Sequence, residues 1–115
     1  MNKQPVTDPL IVLRCGIEHI VLDDRLPDLT VRQLAVLLVL RQEQRSASTI
    51  RALATRLGIP KPSACRALDR LQELGLTARE DDPLDRRSVF GVLTDRGEMF
   101  LMELDKAMMP LARAA

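Results

Sequence analysis

A mainly α domain carrying a small β element (α+β), arranged as a winged helix-turn-helix, is the fold class this sequence predicts. Three observations predict it. Two short amphipathic runs, Ile50 to Leu57 and Pro62 to Leu74, are joined across Gly58 to Lys61, and two short helices joined by a turn containing glycine make a helix-turn-helix. After Gly75 the apolar period shortens from helical to alternating, over two short runs separated by turn residues, as a hairpin requires. A further helix precedes the pair, and apolar segments flank the whole. The expected architecture is three core helices, a two-stranded wing and terminal helices. At 115 residues and 12.9 kDa, a single domain over residues 1–115 is expected, with a core at 29–94 and terminal segments at 1–28 and 95–115.

The opening segment carries Pro5 and Pro9, then Leu10, Ile11, Val12, Leu13, Cys15, Ile17, Ile20, Val21 and Leu22. That is more apolar surface than a one-faced helix needs. It can be buried in the chain's own core or against a second subunit, and its terminal position favours the second. Asp23 to Pro27 reads as a loop. Thr30 with Gln33 forms a capping-box pattern ahead of Leu34, Leu37 and Leu38, predicting a helix from about Val31 to Gln42. Ser48 or Thr49 can cap the next helix, which buries Ile50, Leu53, Ala54 and Leu57 before Gly58 stops it with Ile59 beyond. The following helix starts near Pro62 and places Ala64, Ala67, Leu68, Leu71 and Leu74 on one face. Its opposite face carries Pro62, Arg66, Asp69 and Glu73, flanked by Cys65 and Arg70. Leu76 to Glu80 and Ser88 to Leu93 read as strands, with Asp81 to Arg87 as a charged turn. Thr94 caps a last helix over Phe100, Leu101, Leu104, Met108 and Leu111, which Pro110 should disturb near its end.

Composition narrows the function. With 46% apolar and 29% charged residues, the chain falls in the globular range rather than the disordered one. The longest apolar run, Leu34 to Leu40, ends at Arg41 and is far below the ~20 residues of a membrane span. The N-terminus has too short an apolar stretch for a secretory signal, so no membrane partner and a cytoplasmic location are expected. Cys15, Cys65 and the lone His19 cannot make a zinc site, and no cofactor is implied. An enzyme is disfavoured: there is no Ser, His and Asp constellation, no glycine-rich phosphate loop, and His19 is the only imidazole. Without Trp or Tyr and with only Phe90 and Phe100, platforms for stacking single-stranded bases are missing, so a nucleic-acid partner would be a duplex.

Charge is unevenly spread although the formal net charge is only +1. Residues 29–60 carry Arg32, Arg41, Arg45, Arg51 and Arg56 against Glu43 alone. Such a stretch suits a polyanion met by one face, and it is equally compatible with a charge-decorated helix surface.

The runs IRALATRLGI (Ile50 to Ile59), CRALDRLQELGL (Cys65 to Leu76) and DDPLDRRSVFGVLTDRG (Asp81 to Gly97) carry a resemblance, extending from Leu29 to Phe100, to the MarR family of bacterial transcriptional regulators. Its most specific element is Asp85, Arg87, Leu93, Thr94 and Gly97 at family spacing. The resemblance implies a homodimer that binds double-stranded DNA on a pseudo-palindromic operator as a repressor, 29–94 being the DNA-binding core and the termini the dimerisation segments. It also implies that Arg87 enters the minor groove from the wing while Asp85 holds it. A small-molecule or oxidant effector occurs among such proteins, and Cys65 beside Arg66 could serve as a sensor thiol, although small packed cysteines are the commoner case. Family members have longer terminal helices. Pro60 stands where a capping serine or threonine is common, so the recognition helix is expected to begin a residue or two late.

A DNA reader needs a small-faced helix flanked by cations. Lys61, Pro62, Ser63, Cys65, Arg66 and Arg70 supply that face, with Arg66 and Arg70 one turn apart; Arg79 and Arg86 would add phosphate contacts. Asp69 could instead pair locally and leave these arginines as solvated surface. A winged-helix protein-interaction module without DNA binding is the competing function.

Overall fold

A computed structural model describes residues 8–114, with side chains described through Met109. Its contacts divide it into two compact units, Leu29–Glu98 and, from the two ends, residues 8–28 with 99–114.

The N-terminal helix α1 spans Pro9–Leu22, and the Leu29–Glu98 unit begins with α2 (Val31–Gln42), as the capping-box pattern predicts. Its capping box is complete, Gln33 N–H donating to Thr30 Oγ1 at 3.1 Å and Thr30 N–H to Gln33 Oε1 at 2.9 Å. Val36 and Leu37 are wholly buried, and α2 packs against the fourth helix and the hairpin. A 3₁₀ turn, Arg45–Ser48, follows. It leads into α3 (Ile50–Leu57), capped by Thr49, whose Oγ1 accepts from Ala52 N–H at 3.1 Å. Gly58 ends α3 at φ 65°, and Ile59 N–H returns to Ala54 O at 3.1 Å. A residue with a Cβ is strained in that left-handed conformation, so glycine sets the helix-turn-helix corner.

The next helix, α4, spans Lys61–Glu73 and does not begin late. Pro60 is its extended N-cap and Pro62 its second residue; both lack N–H groups that would be unpaired in a first turn, so two prolines there cost no hydrogen bond. Ser63 and Ala64 N–H both donate to Pro60 O. Ala64, Leu68 and Leu71 are wholly buried together with Leu53 of α3 and Leu76, the face that the helical spacing assigns to the core.

The hairpin is longer than its sequence suggests. β1 (Thr77–Asp82) pairs antiparallel with β2 (Asp85–Leu93), so only Pro83 and Leu84 remain at the tip, where Leu84 N–H donates to Asp82 Oδ1 at 2.9 Å. Asp81, expected in the turn, pairs with Val89, because the ladder is made by backbone groups and tolerates solvent-facing charge; Arg86–Arg87, also expected there, lie in β2 at a register shift between the Asp81–Val89 and Asp82–Asp85 rungs, without ladder partners. Thr94 closes the unit: its hydroxyl donates to Gly75 O at 2.6 Å and accepts from Gly97 N–H at 3.0 Å, starting α5 (Asp95–Ala114). A Cβ at Gly97 would collide with the Leu76 carbonyl oxygen, so this position of the sequence motif records a close backbone approach. The helix continues through Pro110; the side chain of Leu111, expected on its apolar face, lies beyond the described side chains.

In the terminal unit, α1 is capped by Asp8, whose carboxylate accepts from Leu10 N–H at 2.9 Å, with Pro9 as first residue. Val12, Gly16 and Ile20 are buried, and Gly16 faces Leu104 and Met108 of α5 so closely that no side chain fits between them. His19 Nε2 lies 2.9 Å from Glu103 Oε1 and, facing a carboxylate, is the donor. This contact holds the Glu103 carboxyl below its ordinary value. Asp23 accepts from both the guanidinium and the backbone N–H of Arg25, which lowers its carboxyl to about 2.

Candidate nucleic-acid interface

The Leu29–Glu98 unit sorts its cations into two sets. Arg41, Arg45, Arg56, Arg70 and Arg79 pair with Glu98, Glu80, Glu43, Glu73 and Asp69 respectively. Arg51, Lys61, Arg66, Arg86 and Arg87 form no ion pair among the described residues, and all five are exposed. Arg32 and Arg96, near the starts of α2 and α5, are likewise unpaired. An arginine already held by a carboxylate brings less net charge to a phosphate than one that is free. The distinction therefore ranks the arginines of the basic stretch, which composition alone left equal.

Three of the free cations converge. A groove of about 560 Å³ runs between the start of α3, the start of α4 and β2, and Arg51, Lys61 and Arg87 line it with Thr49, Asp85 and Ser88. Backbone geometry produces this. The left-handed turn at Gly58 folds the first turn of α4 back beside α3, and the Thr49–Phe90 bridge brings β2 to the same place. Arg51 was not singled out from the sequence; its only signal there was membership of the basic stretch at residues 29–60.

On α4, Pro62 and Arg66 are exposed and Ser63 and Cys65 half-buried, so Lys61, Pro62, Ser63, Cys65 and Arg66 do form one accessible face beside the groove. Arg70 is exposed but bonded to Glu73 at 3.2 Å. Arg79 is not on this face as a free cation. Its guanidinium donates to Asp69 Oδ1 and Gln72 Oε1, both at 2.7 Å, and to the Cys65 carbonyl at 3.4 Å. The local partner of Asp69 is thus Arg79, and neither Arg66 nor Arg70.

Asp85 reaches Arg87 through the main chain and not through the guanidinium. Its Oδ1 accepts from the backbone N–H of Arg87 at 3.0 Å and its Oδ2 from the Ser88 hydroxyl at 3.2 Å. It fixes the backbone from which Arg87 projects and leaves the guanidinium free, because a carboxylate two residues upstream reaches the main chain more readily than the far end of the arginine. Arg86 is exposed and does not line the groove. Among the described residues no group of three or more His, Cys, Asp or Glu side chains is placed to hold a metal ion, and no helix is long and apolar enough to cross a membrane.

Comparison with known proteins gives a family model, the MarR family, over residues 28–88. The uncharacterized HTH-type transcriptional regulator YkoM of Bacillus subtilis (strain 168) is 31% identical over 84 residues, covering 73% of this chain and 53% of that protein. The chain thus spans about half the length of that relative. The transcriptional regulator Tm0710 from Thermotoga maritima superposes with a TM-score of 0.77 at 24% identity, over 91% of this chain and 70% of that one. Sco3205 from Streptomyces coelicolor, a MarR family transcriptional regulator solved in complex with DNA, does so with a TM-score of 0.65 at 24% identity, over 91% and 64%. Both match the five helices and two-stranded sheet of a winged helix-turn-helix.

Proposed function

This chain belongs to the MarR family, and we propose from that premise that it is a transcriptional regulator which binds double-stranded DNA through α4, the start of α3 and the wing. The observation that carries the reading is the convergence of Arg51, Lys61 and Arg87, all without carboxylate partners among the described residues, on one groove beside the exposed face of α4. In this pose Lys61, Ser63, Cys65 and Arg66 meet base edges or nearby phosphates in a major groove, Arg51 and Arg86 meet backbone phosphates, and Arg87 reaches a minor groove. Pro62, with no N–H, supplies shape rather than a hydrogen bond, and Asp85 supplies backbone position.

The protein acts as a homodimer on a pseudo-palindromic operator. Leu10, Leu13, Ile17, Val21 and Leu22 of α1 are exposed in the single chain, an apolar surface larger than scattered surface residues account for. Occupancy of an operator overlapping a promoter excludes polymerase without any further contact, so repression is the simplest outcome.

The test is selection of bound sites from a random duplex pool, followed by titration of the selected site over a range of salt. A palindromic consensus and a log-log salt slope of roughly −4 to −5 per bound subunit are expected from five free cations. A protein that enriches no duplex would leave the protein-interaction module as the reading.

A further inference from the structure

We propose that the wing is aimed by a two-sided clamp at its base. Arg79 holds β1 to α4 on one face and Glu80 holds it to the Arg45–Ser48 turn on the other, and operator selectivity depends on that clamp rather than on any DNA contact by Arg79. The proposal rests on the DNA-binding reading and concerns how the same site is held in shape.

Successive residues of a strand point to opposite faces. Arg79 spends its guanidinium on Cys65, Asp69 and Gln72 of α4, positions four and three residues apart and therefore one stripe along two turns. The planar fork matches such a set of acceptors, which a lysine could not span. Opposite Arg79 in the ladder is Gly91, where an added Cβ would stand 3.1 Å from Leu68 of α4. This rung therefore lies against α4 through both strands. One residue on, Glu80 accepts from Arg45 at 2.5 Å. The Arg45 guanidinium also lies 4.4 Å above the ring of Phe90, which is the ladder partner of Glu80. Arg45 thus grips both strands at a single rung, by charge on one and by the ring face on the other.

Beyond these two rungs the hairpin projects without comparable side-chain ties to the helices among the described residues, its side-chain hydrogen bonds there staying within the hairpin. Arg87 stands three residues past Phe90, about 10 Å along the strand, so a 10° swing at the base would move it about 2 Å. That exceeds the tolerance of a hydrogen bond.

Arg79→Ala, Arg79→Lys and the exchange Asp69→Arg with Arg79→Asp test this on the selected operator and on scrambled duplex. If the clamp operates, Arg79→Ala and Arg79→Lys both lose roughly three- to tenfold on the operator, with scrambled binding and salt slope unchanged, and the exchange recovers most of the loss. A drop of about one in the salt slope, with equal losses on both duplexes and none for Arg79→Lys, would make Arg79 a phosphate contact and overturn the proposal. Unchanged operator affinity would overturn it as well. Amide exchange over residues 81–89 without DNA reads the clamp independently. Faster exchange in Arg79→Ala supports it and identical exchange refutes it, even were the wild-type protein to bind no duplex, an outcome that would sink the DNA-binding reading alone.

Discussion

Arg66 and Arg70 occupy successive turns of α4 and carry the same charge, yet only Arg70 is tied to a neighbouring glutamate. Arg66→Ala is therefore expected to relax base preference, costing on the order of 1 to 3 kcal/mol on the selected operator and little on scrambled DNA. Arg70→Ala should weaken both duplexes alike and by less, since removing it also frees Glu73. Affinities of each variant on both duplexes check the pair, and equal losses for Arg66→Ala would exchange the roles. The wing offers a second contrast. Arg87 lines the groove and Arg86 does not, so Arg87→Ala should damage binding more than Arg86→Ala. Asp85→Ala should weaken binding although it removes a negative charge, because the Arg87 N–H and the Ser88 hydroxyl lose their acceptor. Tighter binding by Asp85→Ala on the same operator would mean that the wing acts through net charge alone.

Helices announce themselves through local signals, which is why Thr30 with Gln33, the Gly58 stop and the Thr94 cap were all readable in the sequence. The hairpin itself was readable but its extent was not, since the ladder carries on to Asp81–Val89 and closes at Asp82–Asp85, leaving Arg86 and Arg87 between these rungs at a register shift that side-chain alternation does not announce. The roles of Arg79 and Arg51 also escaped, because both depend on partners or neighbours brought together by the tertiary fold. The segment after α1 shows a similar dependence on geometry, with a measurable consequence. Asp23 has its carboxyl lowered from 3.8 to about 2 by the Arg25 hydrogen bonds. A folded-state value below the unfolded one stabilises the fold above about pH 4 and loses that contribution as pH falls toward 2. Glu103, lowered chiefly by the hydrogen bond from His19, acts in the same direction. Denaturant unfolding at a series of pH values should therefore show a shallower acid limb for Asp23→Asn than for the wild type, with the two curves meeting at the acid end. Parallel limbs would mean that the Arg25 contact is lost in solution.

For the whole molecule, the proposed dimer makes a prediction that needs no DNA. Leu10 and Val21 are 72% and 63% exposed in the single chain, so Leu10→Asp with Val21→Asp should leave its fold intact by circular dichroism. Sedimentation at micromolar concentration should show the wild type at twice the 12.9 kDa chain mass and this variant at the chain mass. A wild-type monomer that binds one short half-site tightly would remove the dimer. Retention of the dimer by the double variant would move the interface away from that face of α1.

The division of the arginines into paired and free sets also bears on how quickly a duplex is found. With 17 basic and 16 acidic residues, the free cations are offset elsewhere on the same chain, and beyond the ~8 to 10 Å screening length little net field remains. Encounter should then proceed at an unsteered association rate of about 10⁵ to 10⁶ M⁻¹s⁻¹, well below that of strongly basic proteins. Added salt would act chiefly by shortening the residence time of the complex rather than by slowing its formation.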